Sequence, residues 1–142
     1  MNGRFFLAGN VFVYSLDEQS PGKAEIARRL IRTGLESEKG IVSYQVVQEF
    51  FHIALRKFAA PMPISDREQY RAITFRPMLA VYSSALLCGE ALRIHGQRGV
   101  PWFDALILAA ALQAECDALY GEDLQHEPTF GKLKIQNPFI GP

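Results

Sequence analysis

The sequence alternates short apolar segments, each only a few residues long, with longer segments of helical periodicity. Arg4–Ala8 is a nearly continuous apolar run, which is typical of a strand that is covered on both faces. Ile41–Val42, Ala80–Tyr82 and Ala118–Tyr120 are further short strand candidates. Strands that alternate with helices predict the α/β class, in three layers, with a mostly parallel sheet of short strands flanked by helices.

Residues that commonly begin helices precede the helical segments. Asn10 is predicted to cap a short helix, Ser65 to open a capping box, and Pro101 to occupy the first position of an apolar helix. The tail after Gln125 is predicted to be irregular, apart from a strand near Lys134. The predicted helices are Val11–Leu16, Ser20–Glu38, Ser43–Phe58, the segment that Ser65 opens, Ser84–Gly96 and Pro101–Cys116.

Several features indicate a protein of the cytoplasm that is not inserted in a membrane. Met1–Leu16 superficially resembles a signal peptide, but Gly9 interrupts the apolar run and Asp17 follows where a cleavage site is expected. No stretch approaches the ~18 apolar residues that a membrane span requires. Cys88 and Cys116 form no zinc-binding spacing. They are predicted to be buried free thiols, which fits a reducing compartment.

The composition is that of one ordinary globular domain, covering residues 1–142, with 49% hydrophobic and 21% charged residues. We find no repeat, linker or low-complexity segment that would divide it. The 15 basic and 15 acidic residues cancel. Proteins that bind nucleic acid mainly by neutralising phosphates are usually more basic. Any binding of RNA or DNA therefore requires local sorting of charge, or a metal that holds the phosphate.

Two acidic residues occupy apolar helix faces, where carboxylates are unusual. Residues three and four apart share a face of a helix, so Glu49 sits between Val46 and Ile53. Asp104 shares its face with Leu108 in an otherwise apolar helix. Each position also has an ordinary structural explanation. Glu49 can lie at the exposed edge of its stripe, and the helix dipole favours an acid such as Asp104 in a first turn.

A third acid, Asp123, follows the strand Ala118–Tyr120 in a turn, where acids are common. Sites in open parallel sheets form beyond the carboxyl ends of strands, and helix starts such as Asp104 lie at the same edge. Clustered carboxylates repel by about 4 kcal/mol per pair at ~4 Å and an effective dielectric near ~20, unless protons or a hard cation neutralise them. Oxygen-only ligands indicate Mg²⁺ or Mn²⁺, which suits phosphodiester hydrolysis.

Four segments carry a family resemblance: FFLAGNVFVYSLD, SYQVVQEFFHIALRKF, PWFDALILAAA and LYGEDLQH, which together span Phe5 to about His126. In order and spacing they resemble the motifs of PIN-domain proteins, particularly the VapC-like toxins of bacterial toxin–antitoxin pairs. The resemblance implies a compact α/β domain whose acidic cleft binds Mg²⁺ or Mn²⁺ and cleaves RNA. It also implies a homodimer and a small antitoxin protein as partner. The implied catalytic residues and metal ligands are Glu49, Asp104 and Asp123, with Asn10 in a supporting role.

Three positions depart from the family pattern. The family places an aspartate directly after the first strand, where this chain has Ala8, and commonly a threonine or serine next, where it has Gly9. Gly121 stands where a serine or threonine often precedes the two acids. Ala8 cannot coordinate a metal, and its loss should cost at least the roughly 10–100-fold of outer-shell changes. A deliberate inactivation accounts for Ala8 alone and natural loss for all three positions, and both alternatives stay open.

Other residues near these motifs receive structural interpretations. Neither Asp17 nor Glu122 is predicted to replace the missing acid, because Asp17 lies roughly 10 Å further along the helix and Glu122 faces away from Asp123. Trp102 and Phe103 are assigned to core packing rather than to base stacking. The histidines form no catalytic motif and are assigned to surface or packing positions.

The sequence leaves two functions open. The first is an Mg²⁺- or Mn²⁺-dependent endoribonuclease of the toxin–antitoxin type, impaired by Ala8. The second is a catalytically degenerate PIN domain that acts as a protein-interaction module. A phosphotransfer receiver or phosphatase would also place acids after strands, but the acid, lysine and threonine it needs do not occur in the right order.

Overall fold

The computed structural model of the chain describes residues 2–56, 62–122, 124 and 129–140. Its strands are β1 (Phe5–Leu7), β2 (Gly40–Ser43), β3 (Leu79–Val81), β4 (Ala118–Tyr120), β5 (Thr129–Phe130) and β6 (Leu133–Gln136). Its helices are α1 (Gly9–Ser15), α2 (Pro21–Ser37), α3 (Tyr44–Ala54), α4 (Ile64–Tyr70), α5 (Ala85–Arg98) and α6 (Trp102–Gln113). A π-helical turn, Arg71–Phe75, continues α4.

The strands form one sheet in the order β3-β2-β1-β4-β6-β5. The pair β5–β6 is antiparallel and the other neighbours are parallel, so the predicted mostly parallel α/β sheet is confirmed. Phe5 of β1 lies opposite Gly40 on one side and Ala118 on the other. Because the carboxyl ends of parallel strands meet at one edge, the residues that follow β1, β2, β3 and β4 line a common rim. We call this edge the strand-end rim.

Apolar side chains from the sheet and the helices form the core. Phe6 and Leu7 of β1 are fully buried, and α6 buries most of its length. Helix α1 packs against α2 and α3, and α5 packs against α6. Phe50 of α3 is the centre of an aromatic cluster. Its ring centroid lies within 6.5 Å of those of Phe12, Phe51, Tyr70 and Phe75.

Three predicted helix starts are wrong. Helix α1 begins directly after Ala8, its N-cap, because the chain turns from β1 straight into the helix, and Asn10 therefore lies inside the first turn. Pro63 rather than Ser65 precedes α4, and Pro101 is the N-cap of α6 rather than its first residue. The two prolines have ψ angles of 150° and 151°, so the helical backbone begins one residue after each ring.

Two helices are shorter than predicted. Helix α3 ends at Ala54, and its predicted end, Phe58, lies outside the described residues. Helix α6 ends before Glu115 rather than at Cys116, because Glu115 has a φ of 57° that a right-handed helix cannot contain. In the tail, β6 confirms the strand near Lys134. The prediction of an otherwise irregular tail is wrong, since β5 pairs with β6.

The two cysteines lie in different surroundings. Cys116 is buried as predicted, and burial raises the pKa of its thiol to about 12. Cys88 is exposed, because the buried stripe of α5 runs through Leu87, Ala91 and Ile94 and leaves position 88 on the solvent side. The prediction of a second buried thiol is therefore wrong.

A close approach between α2 and β2 requires glycine at position 40. A Cβ atom at Gly40 would lie 2.7 Å from Gly34 Cα and 2.9 Å from Met78 Sδ. We expect Gly40→Ala to lower the free energy of unfolding by about 1–3 kcal/mol, because the helix must move off the strand. Urea denaturation measures this loss.

Gly89 provides the matched control for this substitution. It lies inside α5, and a Cβ atom there would meet nothing within 4 Å. Gly89→Ala should raise stability by about 0.5–1 kcal/mol, as alanine generally does in a helix interior. Equal stability of the Gly40→Ala and Gly89→Ala variants would contradict the close packing of α2 on β2.

Candidate functional site

A cleft at the strand-end rim is the candidate site. It has a volume of about 620 Å³ and lies between α1, α3 and the start of α6. Its walls are largely apolar, and the polar side chains among its lining residues come mainly from α1 and α3. The lining residues used below are Asn10, Tyr14, Gln45, Glu49, His52 and Phe103.

Glu49 and Asp104 are close enough in the structure to influence each other's charge. Glu49 is half-buried, and its pKa is raised, first by burial and further by the negative charge of Asp104. A hydrogen bond from Gln45 acts in the opposite direction. The fold thus brings together the two acids that the sequence places on separate helices.

Gln45 ties the first turn of α3 to the first turn of α6. Its Nε2 donates a hydrogen bond of 3.3 Å to the carbonyl oxygen of Phe103, the residue before Asp104. Gln45 also lies one turn before Glu49, to which it is hydrogen-bonded. One amide therefore contacts both helices that carry the acids. The sequence analysis overlooked this residue, although its position four residues before Glu49 is a usable signal.

Asn10 carries a buried acceptor for which the described residues provide no partner. Its Oδ1 atom has no hydrogen bond in the described part of the structure, although the residue lines the cleft. A buried polar atom without a partner costs about 1–3 kcal/mol. Such atoms in native proteins commonly mark a site for an ion, a water molecule or a ligand.

Ala8 and Gly121 face each other at the ends of β1 and β4. The Ala8 amide donates to the Tyr120 carbonyl oxygen at 2.9 Å. A Cβ atom at Gly121 would lie 3.0 Å from Ala8 Cβ and 3.1 Å from Leu124 Cδ1. Two of the three departures from the family pattern are therefore in direct contact, and they pack with Leu124 as an apolar group beside the cleft.

The two acids that the sequence analysis rejected as substitutes are engaged elsewhere. Glu122 accepts hydrogen bonds of 2.7 Å from the Tyr14 hydroxyl and from Lys23 Nζ. Burial raises its pKa, but the hydrogen bonds from Lys23 and Tyr14 outweigh burial, so the pKa is lowered overall. Asp17 accepts from the amide of Gln19 at 2.9 Å, in the turn after α1.

Phe103 corrects a sequence prediction. It is 62% exposed and lines the cleft, because the buried face of α6 begins at Ala105. Trp102 is half-buried against the core, and its ring meets that of His95 edge to face at 6.4 Å. Core packing is therefore confirmed for Trp102 and wrong for Phe103.

Two predicted positions lie outside the described residues, namely Asp123 and His126. Among residues 2–56, 62–122, 124 and 129–140, no group of three or more His, Cys, Asp or Glu side chains is placed to hold a metal. His52 is exposed at the cleft, and His95 Nδ1 lies 2.7 Å from the Val100 carbonyl oxygen. The described carboxylates of the cleft are therefore Glu49 and Asp104.

Residues 6–127 match the sequence profile of the PIN domain. The chain belongs to the PIN-domain family. Its fold is similar to a solved structure described as FitAB bound to an IR36 DNA fragment, with a TM-score of 0.69, 15% sequence identity and coverage of 97% of each chain. At this identity the likeness concerns the fold alone. No curated protein matches the sequence. Within the described part of this PIN domain, no helix is long and apolar enough to cross a membrane.

Proposed function

We propose that this PIN domain is an Mg²⁺- or Mn²⁺-dependent endoribonuclease of the toxin–antitoxin type, whose acidic site is incomplete at Ala8. The observation that carries the proposal is the approach of Glu49 and Asp104 across a cleft at the strand-end rim, where sites of parallel α/β sheets form. The missing acid makes the chain as written weak or inactive.

The side chains of the cleft suit a hard divalent cation. The available donors are the carboxylates of Glu49 and Asp104 and the unpartnered Oδ1 of Asn10, all of them oxygen atoms. A cation would relieve both the burial of the Glu49 charge and its repulsion by Asp104. PIN nucleases generally use divalent metals, and we propose Asp123 as a further ligand because of the family resemblance. A bound metal would supply an activated water molecule and stabilise the leaving oxygen.

The other residues of the cleft would position the substrate and the acids. Gln45 orients the Glu49 carboxylate through its hydrogen bond and fixes the start of α6 through the Phe103 carbonyl. The exposed ring of Phe103 offers an apolar face at the cleft, on which a nucleobase could stack. Asn10 holds the beginning of α1, and with it Ala8, beside the acids.

The roles of the acids are tested in a background that restores the family's aspartate. We expect Ala8→Asp to cleave single-stranded RNA in the presence of Mn²⁺, and a second substitution, Glu49→Gln or Asp104→Asn, to reduce cleavage by at least about 10-fold. Gel analysis of labelled RNA measures the rates. Undiminished cleavage in the doubly substituted proteins would show that these acids are not ligands.

The partners follow from the VapC-like resemblance and are proposals. We propose that residues 1–142 form a single domain, that the protein forms a homodimer, and that a small antitoxin binds it. FitAB was solved with DNA, so a DNA duplex belongs beside RNA in binding assays. Co-purification of this chain with the product of a short neighbouring reading frame would support the antitoxin, and sedimentation measures the oligomer.

A second function, a protein-interaction module without activity, is favoured by one specific observation. Ala8, Gly121 and Leu124 pack together where the family carries an acid and a hydroxyl, so the site is filled with apolar atoms rather than merely lacking a ligand. Robust metal-dependent cleavage by the chain as written, abolished by Asp104→Asn, would exclude this alternative.

A further inference from the structure

Two exposed tyrosines form a stacked pair on the strand-end rim. The rings of Tyr44 and Tyr82 have centroids 6.3 Å apart and planes inclined by 29°. Tyr44 is 43% exposed and Tyr82 is 61% exposed. Aromatic pairs usually contribute by leaving water, and these rings keep much of their surface in solvent. The pair is therefore available to a ligand with a flat apolar face.

The position of the pair relates it to the candidate site. Tyr44 directly follows β2 and Tyr82 directly follows β3, whereas Ala8 and Asn10 follow β1. Neighbouring strands lie about 4.7–4.9 Å apart, so the tyrosines stand one and two strands away from the end of β1. The sheet thus arranges the cleft and the tyrosine pair side by side on a single edge.

The contacts of Gln45 connect the pair to the cleft more directly. Gln45 is the next residue after Tyr44, and its side chain reaches the carbonyl oxygen of Phe103 at 3.3 Å. Phe103 is itself 62% exposed and lines the cleft. Exposed aromatic side chains therefore continue from the cleft along the rim, which is the arrangement that successive stacked bases require.

The distribution of charge favours recognition of bases over recognition of phosphates. The basic and acidic residues cancel over the chain, at 15 each. Several basic side chains are engaged in ion pairs, among them Lys23 with Glu122 and Arg93 with Glu90. A protein with such a charge pattern gains little from counterion release. Stacking on aromatic rings does not need a basic surface.

We propose that Tyr44 and Tyr82 form a platform on which unpaired bases of single-stranded RNA stack beside the cleft. This inference rests on the proposed ribonuclease function and specifies its substrate class, RNA whose bases are unpaired and exposed. A duplex hides its base faces and is excluded from the platform. Stacking accepts every base, so the platform sets the strandedness of the substrate rather than its sequence.

Binding is measured without cleavage, by fluorescence anisotropy of labelled single-stranded oligouridine and oligoadenine with the chain as written in EDTA. We expect Tyr44→Ala and Tyr82→Ala each to weaken the Kd by about 5- to 100-fold, and Tyr44→Phe and Tyr82→Phe to change it by no more than about twofold. An abasic oligonucleotide with the same number of phosphates should bind as weakly as RNA binds to the alanine variants.

Ile73→Ala is the matched surface control. Ile73 is 58% exposed and lies in the π-helical turn, before the amino end of β3 and so away from the rim. Its replacement should leave RNA binding unchanged. Thermal melts of each variant identify loss of folding, and the Tyr→Phe proteins keep the test valid if an alanine variant unfolds.

Three results would overturn the platform. They are equal affinity for abasic and normal oligonucleotides, no RNA binding by the folded chain as written, and unchanged RNA affinity in Tyr82→Ala protein. If that last protein also changes from dimer to monomer in sedimentation, a second copy of the chain covers the pair instead. Because the assay contains no metal, it is independent of whether Ala8→Asp protein cleaves RNA.

Discussion

Ala8→Asp protein is expected to cleave single-stranded RNA, in the presence of Mn²⁺, at least about 10–100-fold faster than the chain as written. Ala8 is the N-cap of α1 at the end of β1, beside the cleft that holds Glu49 and the buried Oδ1 of Asn10. A carboxylate at this position adds the missing oxygen ligand to Glu49 and Asp104. Rates are compared on the same labelled RNA.

Ala8→Asn is the control for this gain, since it has nearly the same shape without the charge and should remain close to the chain as written. The new side chain must also share space with Gly121 and Leu124, which already pack on the alanine. Ala8→Asp protein is therefore expected to melt at a lower temperature in EDTA and to recover stability when Mn²⁺ is added. Identical cleavage by the aspartate and asparagine variants would contradict a ligand role for position 8.

Phe50→Ala is expected to lower the free energy of unfolding by about 3–5 kcal/mol, as large-to-small changes of buried aromatic residues generally do. Phe50 is 0% exposed and lies at the centre of the aromatic cluster between α3, α1 and the π-helical turn. Its ring stacks on Tyr70 at 5.0 Å with an interplanar angle of 8°. Denaturation in urea measures the loss.

Phe103→Ala removes the same ring from a position that is 62% exposed. Its effect on stability should stay within about 0.5 kcal/mol, which is usual for surface positions. Because Phe50 also lines the cleft, the Phe50→Ala protein should lose RNA binding only as far as it loses folding. A comparable loss of stability in both variants would show that the cluster around Phe50 is not the core of this domain.

Much of the fold is predictable because its signals are local. The apolar run at Arg4–Ala8 became β1, and the serines at positions 20, 43 and 84 are N-caps of the predicted helices. The errors occur where local signals mislead. Asn10 is a common N-cap, but the sharp exit from β1 starts the helix earlier. Cys88 has apolar neighbours in sequence, yet it faces solvent because its helix packs through other positions.

The site is predictable only in part. Helical periodicity identifies Glu49 and Asp104 as unusual acids, and the structure places them within reach of each other's charge. The contact between Ala8 and Gly121 depends on the register of β1 against β4, which separate sequence segments do not reveal. The same holds for the Tyr44–Tyr82 stack, which joins the ends of two strands. Asp123 lies outside the described residues and stays a prediction.

The most direct test of an incomplete metal site at Ala8 is a calorimetric titration of Mn²⁺, repeated with Mg²⁺, into the chain as written and into Ala8→Asp protein. A site built from Glu49, Asp104 and Asn10 predicts weak binding that the added aspartate tightens by at least about 10-fold, and that Asp104→Asn reverses. Equal and negligible heats from both proteins would contradict a metal site in this cleft.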